Sequence, residues 1–336
     1  MKSRESRKLD HIRYALCVGD GPCASGFSDV HLLHHCLSGI CRNEVDLTCL
    51  LPGLPALAHP IIINAITGGA DAVAKINESL SIVARETGSA MAVGSQFGTV
   101  RTGLHRDSYT IVRKCNPKGL IFANLSAFAS VEQAKAAIDM ISADALQIHL
   151  NPAQELAMEE GDRDFSNCLS HIEAMVQGVG VPVIVKETGC GMAKKEAQDL
   201  LDVGVTLLDI GGAGGTNFPA IEHQRYPEGN EELSEWGIPT VLSLLSVVQT
   251  VGWGNGVIAS GGIRSSGILF LRGHKAYPFG GSSTGSGDKF WYAKKNSGRY
   301  GLQPCKPFDG SAGETVPLRI VPSGCLCKYH RRHAYE

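Results

Sequence analysis

Residues 144–155 read Asp144-Ala-Leu-Gln-Ile-His-Leu-Asn-Pro-Ala-Gln-Glu155, a short apolar run that polar side chains follow at once. The run Asp144–Ile148 predicts a β-strand that ends at His149. Parallel α/β barrels carry their catalytic groups at the carboxyl ends of the strands, where the loops form one face. A crowd of His, Asn, Gln and Glu side chains at such an end therefore predicts an enzyme.

The same pattern recurs from residue 61 onward, where short β-branched runs alternate with amphipathic segments. The predicted strands are Ile61–Ile66, Ala90–Gly94, Gly119–Asn124, Asp144–His149, Pro182–Glu187, Thr206–Gly211 and Gly256–Ser260. The predicted helices are Asp71–Glu86, His105–Lys114, Val131–Ile141, Asn167–Gln177, Ala193–Asp202 and Pro239–Val251. This alternation is typical of a parallel α/β fold.

Polar or glycine residues follow every predicted strand, from Thr67-Gly-Gly69 after the first to Ser260-Gly-Gly262 after the seventh. A doubly wound sheet, the structural alternative, gathers its glycine signal after the first strand, whereas here the signal is spread over all seven. We therefore predict the α/β class with a TIM (β/α)8 barrel, in which the strand ends converge on one pocket.

Composition excludes several classes of protein. The chain has 336 residues, 43% of them hydrophobic, which is enough for one large domain. A formal net charge of −2 gives no electrostatic case for a nucleic-acid partner, and no apolar run is long enough to suggest a membrane span. The charged N-terminus does not resemble a signal peptide, and the eleven cysteines lack a disulfide-like spacing. These observations predict a cytoplasmic protein.

Two glycine clusters are candidates for phosphate binding. Gly211-Gly-Ala-Gly-Gly-Thr216 follows the sixth predicted strand and Gly261-Gly-Ile-Arg264 follows the seventh. Their backbone N–H groups can approach a phosphate closely, and loops near the last strands of a barrel are the usual phosphate site. Tight turns are the alternative interpretation for either cluster alone. Two clusters on adjacent strands favour a phosphorylated cofactor.

Two groups of cations are further candidates. Lys186 closes the apolar run Val181–Val185, where an ammonium needs an anion nearby. It either pairs with Glu187 or another carboxylate, or it stabilises negative charge on an electron-accepting ring. Arg7, Lys8 and His11 lie well before the first strand and form either a solvated face or a flap over a diphosphate.

Taken in order, these motifs resemble type 2 isopentenyl diphosphate isomerase over residues 5 to 266. The motifs that carry the resemblance are Arg7-Lys8-xx-His11, Ala65-Ile-Thr-Gly-Gly69, Val93-Gly-Ser-Gln96, Ala123-Asn124, His149-Leu-Asn-xx-Gln-Glu155, Glu160-Gly-Asp-Arg163, Val185-Lys-Glu187, Gly211-Gly-xx-Gly-Thr216 and Ser260-Gly-Gly-Ile-Arg264. The 2-hydroxy-acid oxidases share the late glycine pattern but lack the basic N-terminal motif and the HLNxxQE segment. They are the alternative enzyme class.

The resemblance implies an FMN- and Mg²⁺-dependent interconversion of isopentenyl and dimethylallyl diphosphates by a 1,3-proton shift, with NADPH as the flavin reductant. The reduced flavin would supply the acid–base function, and no side chain of the predicted site is suited to both protonating and deprotonating carbon. The resemblance also implies a homo-oligomer, a tetramer or an octamer, that binds a small-molecule diphosphate.

The same resemblance assigns roles to individual residues. The FMN-binding residues are predicted to be Ala65, Ile66, Thr67, Ser95, Asn124, Lys186, Thr216, Gly261, Gly262 and Arg264. The substrate-binding residues are predicted to be Arg7, Lys8, His11, Ser95, Gln96, His149, Asn151 and Gln154. Gln154, Lys186 and His149 are predicted to act in catalysis, and Glu155 is predicted to bind Mg²⁺.

The chain departs from the family pattern at Phe97, where the family usually carries a basic or polar residue. It departs again after residue 266, where an eighth βα unit is expected. Residues 267–336 hold 11 Lys and Arg against 4 Asp and Glu, whereas residues 1–266 hold 20 against 29. The eighth unit is therefore predicted to be missing or replaced.

We divide the chain into a substrate-binding extension (1–60), an FMN-binding barrel (61–266) and an irregular basic tail (267–336). A frameshift in the coding sequence is one hypothesis for this tail. A genuine basic extension, with Phe290-Trp-Tyr292 among lysines, is the alternative. If the tail leaves the barrel open, an inactive remnant that cannot hold FMN is a further alternative.

Overall fold

The computed structural model describes residues 4–30, 36–37, 39, 41–252, 256–264, 291–296 and 299–304. The chain divides into two compact units. The first comprises Met1–Ser28 and His35–Gly281 and contains the parallel sheet; the second comprises Asp29–His34 and Ser282–Glu336.

Ten α-helices and eleven strands are present in the described residues. The helices are α1 (Arg4–Val18), α2 (Ala74–Thr87), α3 (Phe97–Thr102), α4 (Asp107–Cys115), α5 (Val131–Ile141), α6 (Pro152–Ala157), α7 (Cys168–Gly178), α8 (Lys194–Asp202), α9 (Phe218–Arg225) and α10 (Thr240–Val251). The strands are β1 (Asp20–Gly21), β2 (Ile62–Ile63), β3 (Ala90–Ala92), β4 (Ile121–Ser126), β5 (Ala145–Leu150), β6 (Val183–Glu187), β7 (Leu207–Asp209), β8 (Gly215–Thr216), β9 (Val257–Ile258), β10 (Trp291–Asn296) and β11 (Arg299–Pro304).

Seven of the strands form one parallel sheet in the order β2-β3-β4-β5-β6-β7-β9, so neighbours in the chain are neighbours in the sheet. All seven predicted strands are confirmed, although several are shorter than predicted. The first shrinks from Ile61–Ile66 to Ile62–Ile63, and the last from Gly256–Ser260 to Val257–Ile258. The register places His149 beside Ser126 on β4 and beside Lys186 on β6.

The sheet is curled. One hydrophobic cluster contains an inward residue from each strand of this sheet except β2. These residues are Ala90, Phe122, Ala145, Ile184, Leu207 and Ile258. In a flat sheet the first and sixth of these strands would lie about 24 Å apart, since neighbouring strands are about 4.8 Å apart. The side chain of Asn64, directly after β2, also reaches Asp209 on β7, with 2.6 Å between Nδ2 and Oδ2.

The predicted barrel is present as a curled sheet of seven strands in the described residues. The eighth βα unit was predicted to be missing or replaced, and residues 265–290, which follow Arg264, lie outside the described part of the chain. The outer face of the sheet carries a second, larger cluster, in which residues such as Ala123 and Val185 pack with side chains of the helices.

Helix α5 has the bounds that the sequence predicts, because its ends are defined by local chemistry. Ser130 Oγ accepts a hydrogen bond from the Gln133 N–H at 3.3 Å, and Gln133 Oε1 accepts one from the Ser130 N–H at 2.9 Å. This reciprocal capping box satisfies two N–H groups that a helix start leaves without partners. Helices α1, α3, α6 and α9 were not predicted, and α3 and α6 are only six residues long.

Within the first unit, the N-terminal segment packs at both ends of the sheet. Strand β1 pairs antiparallel with β8, with Asp20 opposite Thr216, beyond the carboxyl end of β7. Cys49, Leu51 and Leu57 are buried in the inner cluster beside Ala145, the first residue of β5. These three residues therefore close the amino end of the sheet interior.

The second unit contains an antiparallel pair of strands, β10 and β11, in which Trp291 lies opposite Pro304 and Asn296 opposite Arg299. The sequence analysis predicted an irregular tail here, and over these residues the structure differs. Aromatic residues such as Tyr292 and Tyr300 favour extended structure, although the overall composition of the tail is typical of irregular segments. Among the described residues, no helix is long and apolar enough to cross a membrane.

Candidate active site

A cavity of about 780 Å³ lies at the carboxyl ends of the parallel strands. Most of the residues that the sequence analysis assigned to the site line it, although they come from eight different segments of the chain. These residues are Arg7, Lys8, His11, Ala65, Ile66, Ser95, Asn124, His149, Asn151, Gln154, Glu155, Lys186, Thr216 and Gly261. The structure therefore brings the predicted substrate, cofactor and metal residues to one place.

Four predicted site residues, Thr67, Gln96, Gly262 and Arg264, are not among the lining residues. Gln96 is fully buried, its Nε2 donates to the Ala137 carbonyl at 2.9 Å, and its Oε1 accepts from the Asn124 N–H at 3.0 Å. Gln96 therefore ties β4 to α5, which corrects its predicted role in substrate binding. Its side chain points away from the cavity because it serves the fold instead.

Arg264 also lies elsewhere than predicted. Its guanidinium pairs with the Asp20 carboxylate, and its side chain is 74% exposed. The pair joins the end of the described chain after β9 to β1. Arg264 therefore holds the N-terminal segment in place and does not line the cavity, in contrast to its predicted contact with FMN.

His149 lies near the centre of the cavity wall, at the end of β5. Its Nδ1 is 2.9 Å from Asn124 Oδ1 on the neighbouring strand. Burial and, to a lesser extent, the positive charges of Lys186 and Lys8 together lower the pKa of His149 to about 3. The imidazole is therefore neutral at physiological pH.

Gln154 is held by a carboxylate that the sequence analysis missed. Gln154 Nε2 donates to Glu222 Oε1 at 2.8 Å, and His11 Nε2 lies 2.7 Å from the same oxygen. Arg225 donates to the other oxygen of Glu222. Although burial opposes ionisation, these hydrogen bonds and the positive charges of His11 and Arg225 hold the pKa of Glu222 below its usual value. Glu222 thus connects α9 to α1 and α6.

Glu155 is the carboxylate next to Gln154 on α6. Its Oε1 accepts from Asn151 Nδ2 at 2.9 Å, and its Oε2 accepts from the Asp162 N–H at 3.0 Å. Across the described ranges, no group of three or more His, Cys, Asp or Glu side chains is arranged to hold a metal ion. A cation at Glu155 would therefore need oxygen ligands from elsewhere, such as a diphosphate and water.

Lys186 is 7% exposed, and its Nζ donates to the Glu187 carbonyl at 2.7 Å. The structure does not pair it with the Glu187 carboxylate, the alternative that the sequence left open. Glu187 Oε2 instead accepts from the N–H groups of the next loop, Gly189, Cys190 and Gly191, at 2.5 to 2.9 Å. Lys186 therefore faces the cavity as a buried cation.

Burial raises the pKa of Glu187 to about 7, although the three N–H groups and the Lys186 charge lower it. The site thus holds a carboxyl group that titrates near neutral pH beside a buried ammonium.

Phe97 begins α3, and its ring lines the cavity. Arg101, one turn later on the same helix, places its guanidinium carbon 5.5 Å from the centre of that ring, in a cation–π contact. Arg101 lines the cavity too. Beside Phe97, where the family pattern has a basic or polar residue, the same helix thus brings a cation to the cavity wall from position 101.

The glycine clusters pack loop on loop and form a narrow cradle. A Cβ on Gly261 would lie 2.0 Å from the Gly212 carbonyl oxygen, and a Cβ on Gly262 would lie 2.2 Å from that of Gly214. Larger residues therefore do not fit. In the loop after β2, Thr67 Oγ1 is buried without a hydrogen-bond partner among the described residues. Glycine-rich loops, whose backbone N–H groups can approach a ligand closely, suit a phosphorylated cofactor.

Arg7 is less open to a ligand than the sequence suggests. Its guanidinium lies 3.4 Å from Glu160 Oε1, and Arg225 shares that carboxylate at 3.2 Å. Helix α1 is thus fastened over the cavity by ion pairs on one side and by the His11–Glu222 contact on the other.

Comparison with known proteins finds close similarity to proteins named isopentenyl-diphosphate delta-isomerase. The one from Geobacillus sp. (strain WCH70) is 46% identical over 284 residues, 84% of this chain and 79% of that protein. The one from Staphylococcus haemolyticus (strain JCSC1435) is 46% identical over 263 residues, 78% of this chain and 74% of that protein. The one from Bacillus pumilus (strain SAFR-032) is 42% identical over 301 residues, 89% and 83%.

The alignment with the Bacillus pumilus protein bears on the tail. Residues 1–266 are about 79% of the 336 residues, and this alignment covers 89% of the chain, so it extends past residue 266. A frameshift stays a prediction. The aligned region nevertheless continues beyond the point at which the composition changes.

Among solved structures, an inosine 5' monophosphate dehydrogenase from Legionella pneumophila is similar with a TM-score of 0.49 and 19% identity. The match covers 75% of this chain and 66% of that one. No protein-family model matches the chain.

Proposed function

The chain belongs to the isopentenyl-diphosphate delta-isomerases, and from that membership we propose a mechanism for its reaction at the cavity of α1, α6 and α9. It is an enzyme that interconverts isopentenyl and dimethylallyl diphosphates. The observation that carries the site assignment is the Gln154–Glu222 hydrogen bond, which holds an amide over the same cavity that His149, Lys186 and Glu155 line.

FMN is the cofactor that we propose for this cavity. The glycine loops of residues 211–215 and 261–262 suit its phosphate, and the buried Lys186 at the cavity wall suits its electron-accepting ring. When bound and reduced, FMN supplies the acid–base chemistry that moves a proton across the alkene. Lys186 would stabilise negative charge on the reduced ring, because its ammonium lies at the cavity wall with few competing partners.

The protein side chains would orient the substrate. Asn151 and Lys8 are proposed to hold the diphosphate with Arg7, and Gln154 is proposed to lie against the reacting carbons. Glu222 fixes the Gln154 amide, since a buried carboxylate that accepts from Nε2 allows only one amide orientation. Helix α1 would exclude water from the cavity through its contacts with Glu160 and Glu222.

Magnesium is proposed to bind between Glu155 and the diphosphate. Mg²⁺ in proteins is usually held by one or two carboxylates, substrate phosphates and several waters, which matches the single carboxylate here. NADPH as the flavin reductant, a tetrameric or octameric assembly and a cytoplasmic location complete the proposal, and all three rest on the resemblance of the sequence to the type 2 family.

The test is made on the purified full-length chain. Isopentenyl diphosphate, NADPH, FMN and Mg²⁺ are added without oxygen in ²H₂O, and the product is followed by NMR. We expect a flavin absorbance spectrum, dimethylallyl diphosphate and deuterium in the product. Gln154→Ala should lose most of the turnover, whereas the exposed Gln198→Ala should not.

Other outcomes would overturn the proposal. Oxygen-dependent turnover of lactate or glycolate would indicate a 2-hydroxy-acid oxidase. A colourless protein without isomerase activity in the presence of added FMN would indicate an inactive barrel remnant.

A further inference from the structure

A chain of amide side chains runs through the sheet interior from Ala65 to His149. Asn64 Oδ1 accepts a hydrogen bond from the Ala65 N–H at 2.8 Å. A backbone N–H can only donate, so this contact fixes which end of the Asn64 amide is oxygen. Asn64 Nδ2 then donates to Asp209 Oδ2 at 2.6 Å, and Ser260 and Gly211 donate to the other oxygen of this buried carboxylate.

The orientation of Asn64 determines the orientation of the next two amides. Gln147 Nε2 donates to Asn64 Oδ1 at 3.1 Å, which leaves Gln147 Oε1 to accept from Asn124 Nδ2 at 3.2 Å. Asn124 therefore presents its oxygen to His149 Nδ1, at 2.9 Å. Gln147 and Asn124 are almost completely buried, so water does not compete for these positions.

This sequence of donors and acceptors determines the tautomer of His149. An amide oxygen accepts, so Nδ1 must carry a proton. In the neutral ring, Nε2 then has a lone pair and no proton. The charged groups that act on the ring are Lys186 on β6 and Lys8 on α1, both cations, and they oppose a second proton. The amide geometry therefore fixes a proton on Nδ1, and the low pKa keeps the second proton off Nε2.

A diphosphate has few hydrogen atoms to offer at neutral pH, and its oxygens accept. A direct contact between these oxygens and an Nε2 lone pair would be repulsive. Mg²⁺ gives up its waters reluctantly, and a water polarised by the ion is a strong donor. The acceptor at His149 thus matches a hydrated magnesium diphosphate better than it matches a bare one.

We propose that Asn64, Gln147 and Asn124 are positioning residues that hold His149 as its neutral Nδ1–H tautomer, so that Nε2 binds the diphosphate through a water of the hydrated magnesium ion. This rests on the proposed function of the cavity but differs from a direct contact between His149 and the diphosphate. Sequence reasoning could not distinguish the two, because the order of donors and acceptors appears only in the folded structure.

The test is ¹⁵N NMR of the full-length, flavin-loaded protein labelled at histidine nitrogen, with His149→Gln used to assign the signal. We expect a protonated Nδ1 and an unprotonated Nε2, both before and after Mg²⁺ and inorganic pyrophosphate are added. A proton on Nε2 in the complex, as the imidazolium or as the opposite tautomer, would overturn the proposal. That result leaves the isomerase activity unaffected, whereas a protein that neither binds pyrophosphate nor turns over substrate would contradict both proposals.

A variant tests the role of the amide chain. Asn64→Ala removes the anchor, so Gln147 and Asn124 can turn over and His149 should populate both tautomers. Binding of magnesium pyrophosphate should weaken about 10-fold, as for other residues that orient ligands from behind. Asn230→Ala makes the same change at an exposed residue that is not part of the series of amide side chains. It should alter neither the tautomer of His149 nor the binding of magnesium pyrophosphate. An unchanged single tautomer in folded Asn64→Ala would refute the positioning role, and if that variant does not fold, the wild-type spectrum still decides the tautomer.

Discussion

Gln154 on α6 donates a hydrogen bond to Glu222 on α9 at 2.8 Å, and both side chains are buried. Glu222 → Gln should break this arrangement, because an amide cannot accept from Gln154, His11 and Arg225 as a carboxylate does. We expect kcat to fall about 100-fold, with a smaller change in KM. The free energy of unfolding should fall by about 3 kcal/mol. Isomerase kinetics and urea unfolding measure the two effects.

Glu228→Gln is the control for this prediction, because Glu228 is exposed and lies near the same helix. A Glu222→Gln protein with wild-type kcat would show that the orientation of Gln154 does not depend on Glu222.

Lys186→Met should make the bound flavin harder to reduce. The ammonium lies in a low-dielectric environment, where a fixed positive charge stabilises a reduced, anionic ring. The reduction potential of the bound flavin should therefore fall, and the isomerase rate should fall with it. Spectroelectrochemistry on the flavin-loaded protein measures the potential. An unchanged potential would refute the role proposed for Lys186.

Arg101→Gln should raise the KM for isopentenyl diphosphate about 10-fold. A hydrogen bond to a charged group contributes about 1.5–3 kcal/mol, and 1.4 kcal/mol corresponds to a factor of ten. Arg106→Gln changes an exposed arginine directly before α4 and should leave KM as it is. Phe97→Leu removes the ring beneath the guanidinium and should have a smaller effect in the same direction. If Arg101→Gln binds substrate normally, Arg101 does not replace the basic or polar residue that the family pattern has at position 97.

Glu187 should make the stability of the protein depend on pH. Its pKa is raised by burial to about 7, so between about pH 4.5 and 7 the folded state binds a proton that the unfolded state has lost. The contribution is complete below about pH 4.5 and is lost as the pH rises through about 7. The free energy of unfolding should therefore be about 3 kcal/mol lower above pH 7 than below pH 4.5 on account of Glu187, since one pKa unit corresponds to 1.36 kcal/mol.

Glu187→Gln should remove this part of the pH dependence, because the amide oxygen still accepts from Gly189 and Gly191 and does not ionise. Urea unfolding between pH 5 and 8.5 measures the slope, with the exposed Glu196→Gln as the control. Equal slopes for wild type and Glu187→Gln would mean that the carboxyl does not titrate near neutral pH.

The sequence predicted the sheet well because its signals are local. Alternating short apolar runs indicate strands wherever they occur, and the capping box at Ser130 defines the start of α5 without reference to the rest of the chain. The glycine clusters and the HLNxxQE segment likewise directly follow predicted strands, so their positions at strand ends could be predicted. Residues that the pleat and register direct into the cavity, such as His149 and Lys186, could be assigned on that basis.

Other residues needed the folded structure. Gln96 is adjacent to Ser95, which lines the cavity, yet one residue later the backbone turns into α3 and the side chain points into the core. Glu222 lies on a short helix whose sequence resembles a solvent-exposed surface. Its burial depends on the docking of α9 against α1 and α6, which no local pattern reports. Loss of the eighth βα unit concerns residues after Arg264 and stays a prediction.

Cys49, Leu51 and Leu57 close the amino end of the sheet interior, opposite the cavity. In the described part of the chain, ligands therefore enter and leave through the carboxyl-end mouth, under α1. Substrate and product have the same diphosphate and nearly the same hydrocarbon, so each must vacate the mouth before the other enters. Inhibition by the product should accordingly be competitive with substrate. When both isomers are abundant, release of one before the other binds should limit turnover.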